Sequence, residues 1–311
     1  MSYKISRFQD PARIPELIDL FRTGLGETTE EHWMWRLFSD NSMPEKAFAV
    51  IAEDENGRII GVSSVLPAEY HTGSGIYRCF QYGDWVVHPE HRGKGLIREF
   101  YNFIYEYFKD KQYDFIIEYP NDNSYPIFMK YGFTELPKIP SWRTSKKIFC
   151  TKRKKDAYTV DGVEYLFTKT CPFTETPPAE EGRMVRSPEL LRWKYDENPT
   201  EIFTWLTMQK NGQLIGYFVF ATTKGRFRTA INVYDWAYWD DSDMIFRTAV
   251  RLLLKNGNFV SIWGRYSDRI KTRLKRAGMK EADGGTRLVL KAVSEKGWPE
   301  PLYLTRIDTD Y

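Results

Sequence analysis

Cysteine and histidine are scarce in this chain, with three and four copies among 311 residues. Cys79, Cys150 and Cys171 are scattered, odd in number and free of any Cys-x-x-Cys pair. That pattern excludes a disulfide framework and a cysteine-based zinc site, and no metal is expected. Long hydrophobic runs are absent too: no 18 consecutive apolar residues occur, so no hydrophobic spanning helix is expected. The opening decapeptide, Met1 to Asp10, lacks the apolar segment of a secretory signal. Nor does one sign of charge dominate, since 45 Lys+Arg stand against 42 Asp+Glu for a net charge of +3. With no basic helix or tract, neither nucleic acid nor a membrane is an expected partner. The motifs GxxxxGK[ST] and GxGxxG are also missing, which sets aside nucleoside triphosphatases and dinucleotide-binding folds. The expectation is a soluble, cytoplasmic protein.

Aromatic residues, by contrast, make up 16% of the chain, and hydrophobic residues 42%. The length suits two domains of roughly 150 residues each. A coarse reading gives a strand at 3–8, helices at 11–22 and 28–38, and a hairpin at 47–66 turning on Asn56-Gly57. A long strand at 78–87, a helix at 96–109, a strand at 113–119, a helix at 124–131 and an extended segment from Phe133 complete the first half. The same order then recurs. A strand at 163–168, a helix at 187–195 and a hairpin at 203–221 on Asn211-Gly212 repeat the earlier series. Matching pairs lie 158 residues apart at Trp35 and Trp193, 155 at Gly61 and Gly216, 151 at Asp84 and Asp235, and 146 at Gly132 and Gly278. A steadily shrinking offset in unbroken order indicates duplication with small deletions. The joint is expected at Cys150–Val160, where Lys152-Arg153-Lys154-Lys155 reads as a solvated linker.

The chemistry concentrates in Val86-Val87-His88-Pro89-Glu90-His91-Arg92-Gly93-Lys94-Gly95-Leu96. An apolar strand stops at Pro89, a basic glycine-bearing loop follows, and a helix begins. Such a turn aims unpaired backbone N–H groups and a helix dipole at one spot, which suits a phosphate. The glycines permit close approach, and Arg92 and Lys94 add positive charge.

The element order and this loop resemble the GNAT acyltransferase superfamily, whose phosphate loop is written Q/R-x-x-G-x-G/A. Arg92 and Gly95 fit, whereas Ile97 departs from the small residue. The resemblance implies an α/β fold with a mixed α+β sheet, in two tandem GNAT-like acyltransferase domains over residues 1–150 and 151–311. It also implies acetyl-CoA as co-substrate, its diphosphate on the amides of Arg92, Gly93, Lys94, Gly95 and Leu96. Its pantetheine arm would lie between the strands carrying Trp85–Val87 and Ile116–Tyr119. Asn121 takes the place of the family's asparagine, eleven residues before Gly132. The family's frequent tyrosine acid falls on Phe128, a departure that leaves Tyr125, one turn earlier, as the alternative.

Attack on a thioester requires an amine without its extra proton, hence a base. Asp84, Glu118 and His88 are the candidates, and a backbone N–H near Val87 is the candidate oxyanion donor. In the second half the matching loop reads Trp239-Asp240-Asp241-Ser242-Asp243. Its carboxylates repel a diphosphate, so that half is read as silent. Its acidic and aromatic residues admit two readings, a wall facing an amine or sugar, or a solvated loop over buried tryptophans. The tail from Thr305 reads as an ordinary terminus. The expected activity is acetyl transfer to an amine of a small molecule, such as an aminosugar. The competing expectations are a non-catalytic acyl-CoA-binding scaffold and aminoacyl transfer from a charged tRNA, the latter needing a more basic surface.

Overall fold

The computed structural model describes residues 3–39, 46–73, 75–145, 155–178, 182–226 and 228–309. The first half contains β1 (Lys4–Arg7), α1 (Ile14–Arg22), α2 (Glu30–Phe38), β2 (Phe48–Glu53), β3 (Ile59–Thr72), β4 (Gly75–Val87), α3 (Leu96–Asp110), β5 (Phe115–Glu118), α4 (Tyr125–Lys130) and β6 (Thr134–Ser145). The second contains β7 (Ala157–Val160), β8 (Val163–Thr168), β9 (Arg183–Met184), α5 (Pro188–Leu191), β10 (Thr204–Lys210), β11 (Gln213–Lys224), β12 (Thr229–Tyr238), α6 (Asp243–Asn256), β13 (Phe259–Arg265), α7 (Asp268–Arg276), β14 (Lys280–Ala292) and β15 (Leu304–Thr305). The α/β reading holds, with a mixed sheet. The proposed linker is shorter than expected, because Ala157–Val160 pairs with Val163–Leu166 as a hairpin. Residues 146–154, with most of the basic run, lie outside the described residues.

One continuous sheet of 15 strands joins the halves, and its centre reads β4-β5-β14-β6-β13-β12. The last long strand of each half, β6 and β14, has crossed to the other. Phe115–Glu118 of β5 pairs with Val289–Ala292 of β14. Phe259–Trp263 of β13 pairs with Ser141–Ser145 of β6. Strand pairing satisfies backbone groups that burial would otherwise leave without partners, so each half needs the other's final strand.

The helices sit where their apolar spacing dictates. In α3, Leu96, Phe100, Ile104 and Phe108 are buried, while Phe103 is half-buried. Thr29 accepts the His32 amide and starts α2, so the cap works without the glutamate of a capping box. One hydrophobic core spans both halves, including Tyr70, Cys79, Phe115 and Ile117 with Trp193, Trp205 and Leu288.

The two matched tryptophans meet between the halves in one reciprocal contact. Trp35 and Trp193 stack with ring centres 4.8 Å apart. Each indole N–H donates to the other's carbonyl, at 2.8 Å from Trp35 and 3.1 Å from Trp193. Trp35→Phe keeps the stacked ring and leaves the buried Trp193 carbonyl short of a donor. A loss of about 1–2 kcal/mol is expected, read from urea unfolding.

Candidate active site and its silent counterpart

A kink in β4 creates the site. The β3–β4 register skips between Val62 and Ser64, and Asp84 sits opposite at φ 51°. This bulge falls at Asp84–Trp85 rather than at Val87, whose backbone stays in register with Gly61. Strands β4 and β5 pair only at Cys79–Phe115 and Phe80–Ile116, then diverge. In the gap, the Glu118 carboxylate accepts the Tyr82 N–H at 2.5 Å, which fills the place of a missing strand partner. Between the splayed strands lies a cleft of roughly 510 Å³. Tyr82 to Val87 line one side, Glu118 to Asn121 the other, and Phe128 closes a wall. That volume accommodates a cofactor-sized ligand.

The glycine loop opens at the mouth of this cleft. Gly93 at φ 74° and Gly95 at φ 87° adopt left-handed backbone that side chains disfavour. Gly95 is the N-cap of α3 and supplies no side-chain cap, so the first turn's amides stay available to an anion. Arg92 and Ile97 line the cleft. The Arg92 guanidinium, however, donates to the Val87 carbonyl at 3.0 Å and the Thr23 carbonyl at 3.3 Å. It ties the loop to the end of β4 and to the end of α1. Lys94 is exposed, and Leu96 is buried as the first residue of α3.

Among the other candidates, Asp84 and Glu118 both line the cleft. Asp84 Oδ2 accepts the Ser64 hydroxyl at 2.6 Å and faces Arg36 Nη2 at 3.2 Å. Arg36 and Ser64 escaped the sequence reading, although Arg36 directly follows Trp35, one of the matched pair. Asn121 lines the cleft, but its side-chain oxygen accepts the Asn123 and Ser124 amides and shapes the turn into α4. Tyr125 does not reach the cleft: its hydroxyl donates to Glu135 at 2.7 Å, and Arg287 covers its ring. Phe128 is buried and stacks on Trp85 at 5.2 Å. His88 lies outside the cleft, beside Glu16, Asp19 and Arg58.

His32 packs beside the Arg36–Asp84 pair. Burial, reinforced by the Arg36 charge, brings its imidazole down from 6.5 to about 4. The unfolded chain therefore binds this proton more readily than the folded one. Stability should rise with pH between about 4 and 6.5, by at most about 1.4 kcal/mol per unit. Above that window His32 contributes no slope, and urea unfolding of His32→Gln should show a flatter acid limb.

The second half closes the corresponding site. Its helix α6 is capped by the Ser242 side chain, which accepts the Ile245 amide. The three aspartates are matched by cations rather than left bare. Asp241 pairs with Arg269, Asp243 with Arg273 and Arg276, and Asp240 with Lys210. Strands β12 and β13 are parallel at 230–233 and 259–262, then part as in the first half. Here the chain itself fills the gap. Leu304 and Thr305 of β15 pair with Arg265 and Gly264, and the Thr305 hydroxyl donates to Asp235 at 2.9 Å. The tail is thus a buried wedge, not an ordinary terminus, with Ile307 and Asp308 also buried.

Asp235, the counterpart of Asp84, is fully buried. It accepts from Arg186 at 2.7 and 2.8 Å and from Tyr217 at 2.6 Å. Burial raises this carboxyl, but Arg186 and Arg183 outweigh burial and hold it below the ordinary range. It is a structural anion.

Residues 6–136 match the family model described as an acetyltransferase (GNAT) domain. This segment belongs to the GNAT superfamily. Solved structures similar to the chain cover 94% of it, both halves together. One is a conserved protein of unknown function from Enterococcus faecalis V583, a probable N-acyltransferase, with TM-score 0.68, 11% identity and 73% of its own chain covered. Another is a GCN5-related N-acetyltransferase from Anabaena variabilis ATCC 29413, with TM-score 0.66, 12% identity and 73% covered. A third is Eis1 from Mycobacterium abscessus, with TM-score 0.62, 14% identity and 74% covered. No curated protein matches the sequence significantly. Among the described residues, no helix is long and apolar enough to cross a membrane.

Proposed function

We propose that the chain transfers an acetyl group from acetyl-CoA to the amine of a small molecule, using one site in residues 1–150. Residues 151–311 are, in this reading, a GNAT-like domain that has lost its donor site. The observation that carries it is the cleft between β4 and β5 opening onto the uncapped, glycine-led start of α3. The diphosphate rests on the amides from Arg92 to Leu96, and the pantetheine arm runs between Trp85–Val87 and Glu118–Tyr119.

Chemistry then centres on the Asp84 bulge. The amine nitrogen attacks the thioester carbonyl carbon, forming a C–N bond while the C–S bond breaks. Asp84 takes the amine proton, its second oxygen held by Ser64 and Arg36. A backbone N–H of the bulge stabilises the developing oxyanion. Glu118 keeps the slot open by holding Tyr82. The acceptor enters the same cleft, and a small water-sized cavity lined by Leu66, Gln81, Trp193 and Lys194 lies beside it between the halves. Gln81 and Thr309 line both cavities, so the two are neighbours across those side chains. The smaller, at about 30 Å³, is too small for a sugar ring, so an aminosugar acceptor would lie in the larger cleft.

The buried Phe128, where the family's tyrosine acid would fall, favours a second reading, an acyl-CoA-binding protein without turnover. Thiol release from acetyl-CoA across a broad amine panel separates the two. Amine-dependent release supports the enzyme, whereas CoA binding with no stimulated release under any amine sinks it.

A further inference from the structure

The loop carries a second constellation that acyl transfer does not use. His88 closes β4, and Pro89, Glu90 and His91 form a single 3-10 turn behind it. With three residues per turn, side chains at positions i and i+3 eclipse, which brings His88 and His91 onto one side. One ligand atom each from His88, Glu90 and His91 lies within 4.8 Å of the others. A tetrahedral cation with bonds of about 2.0–2.2 Å needs those atoms closer by small side-chain rotations only.

Two further observations point the same way. The His88 Nδ1 atom is shielded from solvent and has no hydrogen-bond partner, with Glu90 Oε2 3.9 Å away. Such an atom carries an unfilled acceptor or donor role, and burying it alone is unfavourable. On His91, Nδ1 faces the Tyr3 hydroxyl at 3.4 Å. That contact orients the ring and leaves Nε2 for a ligand role, as outer-sphere partners do at metal sites. One group stands against the cation, since Arg58 Nη2 is 3.5 Å from His88 Nε2. Arg58 is exposed, so it can turn into solvent.

We propose that His88 Nδ1, Glu90 and His91 Nε2 form a binding site for a divalent transition-metal ion of the zinc type. Two imidazoles and one carboxylate are a borderline-soft set that suits zinc, cobalt or nickel over magnesium or calcium. The fourth position is open to water. The ion sits immediately before Arg92-Gly93-Lys94-Gly95 and adds positive charge beside the phosphate loop.

The test uses the untagged full chain and cobalt(II) or zinc(II) as probes. Cobalt should give a visible absorption band of tetrahedral type, saturating at one equivalent, and zinc should displace it. His88→Asn and His91→Asn should each weaken binding at least about tenfold. Both variants should keep the wild-type circular dichroism, which separates a lost ligand from a lost fold. Arg58→Ala should bind as tightly as wild type or more tightly, because the competing guanidinium is gone. The proposal is overturned by a wild-type chain that gives no such band, or by a band that survives in the double histidine variant. Loss of binding in Arg58→Ala would equally sink the assignment of Nδ1. None of these outcomes bears on acetyl transfer, which rests on the cleft.

Discussion

Gly95→Glu is expected to weaken CoA binding by about thirtyfold while the protein remains folded. The introduced carboxylate sits where the first amides of α3 would meet the diphosphate. Two like charges 4 Å apart repel by about 4 kcal/mol at the effective dielectric of a protein surface, and each 1.4 kcal/mol is tenfold in affinity. Solvent screening at this exposed loop leaves about half of that.

The folding cost is separate and small. Gly95 has φ 87°, and a side chain there meets only Arg98, at 3.7 Å. Backbone strain of about 1 kcal/mol lowers the melting temperature by roughly 2–4 °C in a chain of this size. Gly57→Glu is the matched control, because Gly57 has φ 75°, nothing within 4 Å, and a place in the β2–β3 turn. It should lose similar stability and no CoA affinity. Equal affinity in the two variants, measured by calorimetry, would remove the donor-site assignment.

The sequence carried this loop because its requirement is local. Left-handed backbone at two positions demands glycine, and the strand before and helix after follow from their own periodicities. The matched spacing of Trp35 and Trp193 was legible too, although nothing local says that the two rings stack. What stayed hidden depends on partners distant in the chain. Nothing near Tyr125 announces that Glu135 will capture its hydroxyl. Nothing near Arg92 says that its guanidinium will fold back onto Val87 and Thr23. The exchange of β6 and β14 is likewise invisible to periodicity, which reports which face is apolar but not which strand lies alongside. The tail was misread on the same grounds. Its short polar sequence looks solvated, yet Thr305 and Asp308 are buried because the parted strands β12 and β13 leave a gap that only a chain segment fills.

Asp84→Asn is the variant expected to separate chemistry from binding. An amide keeps the size of the side chain and cannot take a proton from an ammonium. Loss of a general base lowers kcat by roughly 10²–10⁴, and about 10³ is expected here because water within the cleft replaces little of that function. KM for acetyl-CoA should stay within about threefold, since the glycine loop and the splayed strands are untouched. Stability should fall as well, because Arg36 is 2% exposed and loses the carboxylate facing it. Kinetics therefore belong well below the variant's own midpoint. Asp235→Asn supplies the contrast. It strips Arg186 and Arg183 of their buried counter-charge at a closed site, so it should cost about 3–5 kcal/mol and leave kcat of the folded fraction unchanged. Glu118→Gln decides between the two cleft carboxylates. A glutamine oxygen still accepts the Tyr82 amide, so a slot-holding role predicts less than about tenfold loss, and a base role predicts the larger fall. Should Asp84→Asn keep kcat within threefold while Glu118→Gln abolishes turnover, the proton passes to Glu118 and Asp84 reverts to what Asp235 is, an anion that holds its arginine.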